Sequence, residues 1–151
     1  MAAPGPVVMT QAFRQYIGDA TDILGQATYK CRLLTSAWTP VPSTNAVWAD
    51  ISANEVSNAN GYTTGGVTMT GTSFTQTGGV GKFAGVVPAW TASGVGITAR
   101  YAVMCASGTF NGHVDPIVGY FLLDSTPADV VTASGNQLQL NQPGGGWLTV
   151  T

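Results

Sequence analysis

The sequence predicts a mainly β protein: a single-domain, β-sandwich or jelly-roll-like body carrying one short N-terminal helix and an extended N-terminal arm. Three observations predict it. From residue 27 onward, apolar residues recur at every second position, the period of a strand whose side chains alternate between faces. The strand-like runs are short and are separated by Gly, Pro, Asn and Thr, as in antiparallel sheets joined by tight turns. One run, "PIVGYFLLD", is apolar on both faces, which suits a central strand between two layers. At 151 residues the chain suits one domain burying roughly 70% of its unfolded surface.

The elements follow in order. Residues 1–9, "MAAPGPVVM", read as an extended arm broken by Pro and Gly. Residues 10–25 hold a short helix. Thr10 can cap it, since a hydroxyl accepts from the first free backbone N–H groups. Phe13, Tyr16 and Ile17 share one helical face until Gly18 weakens the helix. The β body covers residues 27–151. In "TYKCRLL", Tyr29, Cys31 and Leu33 point one way and Lys30 and Arg32 the other, the pattern of a half-buried strand. A long Pro-containing loop follows and needs its own packing, with Trp48 and Ile51 as anchors. Further strands are expected at 67–70, 73–77, 82–87, 97–106, 117–123, 137–140 and 147–150. In the 97–106 strand, Ala99, Tyr101, Val103 and Cys105 share a face. Gly119 leaves its strand a gap for close packing or a bend.

Composition narrows the function classes. Charged residues make up only 8% of the chain and the net charge is −2, against about 25% charged in an ordinary soluble domain. The basic residues Arg14, Lys30, Arg32, Lys82 and Arg100 are scattered, which argues against nucleic-acid binding. No run approaches the roughly 20 apolar residues of a membrane helix. The N-terminus lacks a basic stretch followed by a continuous apolar one, so the expectation is a protein made and kept in the cytoplasm until released. An exterior of Thr, Ser, Asn and Gly in place of mixed charges suits a chain that buries much of its outside against partners. Cys31 and Cys105 sit inside apolar runs and read as two buried small hydrophobes. A disulfide would need their strands to be neighbours with the right approach, and a single His with no C-x-x-C offers no zinc site.

Three groups are candidates for chemistry. His113 and Asp115 with Ser107 would be a nucleophile constellation, but no G-x-S-x-G elbow is present and "NGHVDP" reads as a turn. Asp50 and Glu55 share a loop beside Trp48 and could be the carboxylate pair of a glycosidase. The competing reading is that both accept backbone N–H groups inside a long loop that needs internal acceptors. "TGGVGK" lacks the spacing of a phosphate loop and has Phe83 where Ser or Thr should stand. It is a turn.

The stretch from Tyr29 to Gly71 carries a resemblance. A short aliphatic strand, "YKCRLLTSAW", leads to W-x-D-I, N-E-V and G-Y-T-x-G-G, here Trp48, Asp50, Asn54, Glu55, Val56, Gly61, Tyr62, Thr63, Gly65 and Gly66. Downstream, "KFAGVVPAW", "ITARYAVM" and "PIVGYFLL" extend the likeness. This pattern resembles a group of small virion structural proteins of tailed bacteriophages. The resemblance implies a capsid decoration (cement) protein on the head surface, bound to the major capsid protein lattice and made in the host cytoplasm. It implies a homo-oligomer, a trimer by analogy with cement proteins at symmetry axes. It brings no catalytic residues, cofactor or metal, and so no enzyme. An arm at residues 1–13 would reach to a neighbouring copy or shell subunit. The alternative is a tail or receptor-binding module recognising the host surface through an aromatic patch of Trp38, Trp48 and Phe110. On the main reading Trp48, Asp50, Asn54, Glu55, Gly61, Tyr62, Gly65 and Gly66 build a structural corner, with the glycines permitting positive φ.

Overall fold

Alternation along the chain becomes a set of antiparallel ladders. The computed structural model describes residues 4–18 and 27–150. The strands are β1 (Val8–Met9), β2 (Thr28–Leu34), β3 (Val67–Thr68), β4 (Thr70–Thr77), β5 (Val80–Val86), β6 (Trp90–Thr91) and β7 (Ile97–Ala99). They continue as β8 (Tyr101–Ser107), β9 (Thr109–Phe110), β10 (His113–Val114), β11 (Ile117–Leu122), β12 (Val130–Thr132), β13 (Gln137–Leu138) and β14 (Leu148–Val150). The five-stranded sheet has the order β1-β11-β8-β2-β3, and a three-stranded sheet has the order β14-β5-β4. Three strand pairs, β12-β7, β13-β6 and β10-β9, complete the body. Strands take up 43% of the chain, nearly twice the usual share, so the class is mainly β. The ladders establish that class and its antiparallel pairing; they do not establish a sandwich or jelly roll.

Among the described residues the helix α1 spans Gln11–Gly18. Its predicted continuation through 19–25 lies outside the described residues, as do the side chains of Tyr16 and Ile17. Thr10 sits at its start: its Oγ1 accepts from the Phe13 N–H at 3.2 Å and donates to the Ile117 carbonyl at 2.9 Å. One hydroxyl therefore caps the helix and ties it to β11. The arm preceding it is docked. Val8 and Met9 pair with Tyr120 and Gly119, and the Gly5 N–H donates to Leu122 O at 2.9 Å. Residues 5–9 are thus committed to the chain's own sheet, which corrects the expectation of a free reaching arm. Gly119 makes the docking possible, since a Cβ there would lie 2.8 Å from the Val8 carbonyl oxygen.

The five-stranded sheet is covered on both faces. Tyr29, Cys31 and Leu33 of β2 join Ala102, Met104, Val118 and Phe121 in the larger core. That core is shared with the three-stranded sheet and its neighbours: Tyr29 packs on Phe83 at a centroid distance of 4.6 Å and Phe121 stacks on Trp147 at 5.5 Å. Leu34, Val103, Cys105 and Ile117 face the other way, into a smaller core closed by Trp38 and Ile51 of the 35–56 loop. The continuous apolar runs of β8 and β11 reflect this double cover.

Three readings of the sequence change here. The strand expected at 97–106 breaks at Arg100 into β7 and β8. The break shifts the alternation, so Ala99 joins the larger core while Tyr101, Val103 and Cys105 face the smaller one. β2 is not half-buried, because the 35–56 loop covers its second face and Arg32 is only 4% exposed. The short strands β1, β6, β9, β10 and β12 have too few residues to show a period.

Candidate functional site

The residues singled out by the sequence converge on the face of β2 opposite the larger core. After Leu34 the chain leaves the sheet, makes two single-turn 3-10 helices at Trp48–Asp50 and Ser52–Asn54, and returns beside its own starting strand. The return is held by Thr35 N–H to Asn54 O and Val56 N–H to Leu33 O, both at 3.0 Å. Asn54 therefore serves through its backbone. Asp50 is exposed and closes the first turn, its Oδ2 accepting from Ala46 N at 2.8 Å and Val47 N at 2.9 Å.

Glu55 starts the corner. Its Oε1 accepts from the Tyr62 hydroxyl at 2.6 Å and the Gly65 N–H at 2.7 Å. The Tyr62 oxygen in turn accepts from Leu33 N–H at 3.1 Å, so the sheet edge that β3 does not reach is satisfied by a side chain. Tyr62 is buried against Trp90. Burial pushes its phenol pKa up, and the hydrogen bond to Glu55 adds to the rise. The glycines differ in what they allow. Gly61 has φ +91° and a Cβ there would lie 1.9 Å from Thr91 O; Gly66 has φ +70° and its Cβ would lie 2.1 Å from Cys31 O. Both combine a left-handed backbone with direct contact to another segment. Gly65, at φ +95°, faces open space and needs glycine for its conformation alone.

Arg32 is the centre that the sequence reading missed. Its Nη2 donates to Asp115 Oδ2 at 2.9 Å, its Nε to Gly65 O at 3.2 Å, and its guanidinium carbon lies 4.3 Å from the centre of the Trp48 ring. Nη1 is buried and has no nitrogen or oxygen partner among the described residues. Asp115, at φ +48°, also accepts Gly108 N–H through Oδ1 at 2.8 Å, while its carbonyl accepts Trp48 N–H at 3.0 Å. Burial pushes the Asp115 carboxyl up, but Arg32, the Gly108 N–H and the Lys30 charge together hold its pKa below the usual range. One ion pair thus joins β2, the corner, the 35–56 loop and the turn following β8. The signal for it was available: a loop anchored by Trp48 and Ile51 must cover some face, and the polar face of β2 is the adjacent one.

The remaining candidates separate. Both carboxylate oxygens of Asp115 are engaged, one by Arg32 and one by the Gly108 N–H. Cys31 and Cys105 belong to opposite faces of one sheet, in different cores, and are both free thiols. Burial pushes both pKa values up, that of Cys105 to about 12 even with Arg32 beside it. Among the described residues no group of three or more His, Cys, Asp or Glu is placed to hold a metal ion. Trp38 is buried between the edges of Tyr101 and Tyr120 at 5.0 and 5.2 Å, so the exposed aromatic patch expected from Trp38, Trp48 and Phe110 does not form.

No protein-family model matches the chain, and neither the curated proteins nor the solved structures compared with it show a match.

Proposed function

We propose that this chain is a virion structural protein of a tailed bacteriophage, a capsid decoration protein that binds the assembled head shell and stabilises it. The observation that carries the proposal is the W-x-D-I, N-E-V, G-Y-T-x-G-G series from Trp48 to Gly66. Its polar members are occupied in building the protein itself. Asp50 and Glu55 accept backbone or Tyr62 donors, and Gly61 and Gly66 sit where backbone segments touch. A β body with a sparsely charged exterior suits a mechanical role, in which area buried across the junctions between shell subunits raises the cost of separating them. Binding only the assembled lattice would stabilise that state by linkage. The tail or receptor-binding alternative called for an aromatic patch, and Trp38 is not available to it.

The test is the copy number of the chain in purified particles, measured by quantitative mass spectrometry against the major shell protein. A ratio commensurate with the shell lattice supports decoration. A small multiple of three or six transfers the protein to the tail, and absence from the particle removes the proposal.

A further inference from the structure

The three-stranded sheet ends on a strand that no described residue covers. β4 runs eight residues, "TGTSFTQT", and only Thr72 among them is less than exposed. Among the described residues its partner is β5 alone, joined through Gly78 and Gly79 at φ +60° and +86°, the two-residue turn with both central residues left-handed. In such a hairpin the flanking pair Thr77–Val80 is hydrogen-bonded, and pairs then alternate between bonded and non-bonded. Ser73, Thr75 and Thr77 therefore direct their backbone groups to β5. Phe74 and Gln76 direct theirs outward. The opposite strand shows the same alternation, since Phe83, paired with Phe74, turns its carbonyl away from β4 to accept Trp147 N–H at 2.8 Å.

Exposed edges are ordinarily protected by charge, Pro, shortness or a covering loop. β4 has no charge and no Pro, and its one irregularity lies at its start, between Thr70 and Ser73. Phe74 stands on the inner side of the sheet, opposite the fully buried Phe83 and over Gly81, where its ring tip would be 2.5 Å from a Cβ. It still keeps 37% of its surface exposed. An inward-facing ring at the end of a core, beside an unpaired edge, is the feature a further strand would cover.

We infer that this edge pairs with the β4 edge of a second copy of the chain, antiparallel about a two-fold axis through Thr75. The outward groups are self-complementary in that register. Phe74 faces the partner's Gln76 and Gln76 faces the partner's Phe74, so the outward N–H and C=O of each of these residues are used. Thr75 meets the partner's Thr75 on the axis as a non-hydrogen-bonded pair, a favourable cross-strand match. No charge in either strand opposes the pairing or selects a charged peptide in its place. The result is a continuous six-stranded sheet, a common size, in which the partner's strand covers Phe74. The contact is isologous and closes at two copies, so a trimer would need a different surface. This inference does not depend on the decoration reading.

Sedimentation velocity of the full chain over the micromolar range tests it, with three variants. The parent should sediment at twice the chain mass. Phe74→Lys, which places like charges beside the axis, and Gln76→Pro, which removes an outward N–H without taking a bond from β5, should both sediment as folded monomers. Thr75→Cys should form a disulfide-linked dimer on mild oxidation, because paired Cα atoms at such a position lie about 4.5 Å apart. Thr77→Cys and the parent, whose own thiols are buried, should not. A monomeric parent, a dimer that persists in both edge variants, or cross-linking at Thr77 in preference to Thr75 overturns the inference. Because shell copy number is measured separately, either proposal can fail while the other stands.

Discussion

The corner at 54–66 and the β4–β5 hairpin are both glycine-punctuated, Thr-rich segments, yet they use their polar groups in opposite directions. In the corner, Glu55, the Tyr62 hydroxyl and the backbone of Gly65 and Leu33 satisfy one another, and Arg32 and Asp115 complete the cluster behind them. In the hairpin, Gly78 and Gly79 meet nothing within 4 Å, and every residue of β4 except Thr72 is exposed. Similar composition therefore yields an internal fastening in one place and an open edge in the other. The difference is set by what lies adjacent: the corner is pressed against β2 and the Thr91 segment, whereas nothing among the described residues covers β4 on its outer side.

This contrast predicts a hierarchy of effects. Gly61→Ala should be the most damaging, since the methyl group overlaps Thr91 O at an already left-handed backbone. A loss of more than about 4 kcal/mol is expected in urea unfolding, while Gly65→Ala, in open space, should cost only about 1 kcal/mol. Equal losses at the two sites would mean that the corner is not pressed against its neighbour.

Arg32→Met comes next, at about 2–3 kcal/mol, because it leaves a part-buried carboxylate without its charge partner. A neutral result would remove Arg32 as the centre of the cluster. Tyr62→Phe should cost about 2 kcal/mol, as the Leu33 N–H and one Glu55 bond lose their partner at once.

Acid provides a graded test. The Asp115 pKa is lowered in the folded state, so its contribution is present above the unfolded value of about 3.9 and is lost as pH falls through the folded one. Asp115→Asn should reduce the urea midpoint at neutral pH and reduce it less at about pH 3. An equal reduction at both would show that the charge contributes nothing. The smallest effect belongs to the hairpin. Thr75→Val, on the exposed face, should change the stability of the monomeric Gln76→Pro chain by no more than about 0.5 kcal/mol, and a larger change would indicate that another part of the same chain covers β4.

The sequence by itself determined the mainly β class, the start of α1 at Thr10, the close approach at Gly119, the hairpin glycines and the corner of Gly61, Tyr62 and Gly66. Each rests on a local property: a period of two, a capping hydroxyl, or a residue without a Cβ. It also made clear that two buried cysteines were the simplest reading of "YKCRLL" and "YAVMCAS", and the structure places both thiols in cores.

Only the tertiary structure decided that Arg32 is buried, that Asp115 is its partner 83 positions away, that Trp38 is enclosed, and that the N-terminal arm lies on its own sheet. A charged residue alternating with apolar ones reads as solvent-facing unless a distant loop covers that face. The 35–56 loop does so here, and the pairing energies that place it come from residues no local window contains together. The free edge of β4 belongs to the same category, since a strand's second neighbour is set by the way the whole chain returns on itself and not by the strand's own residues.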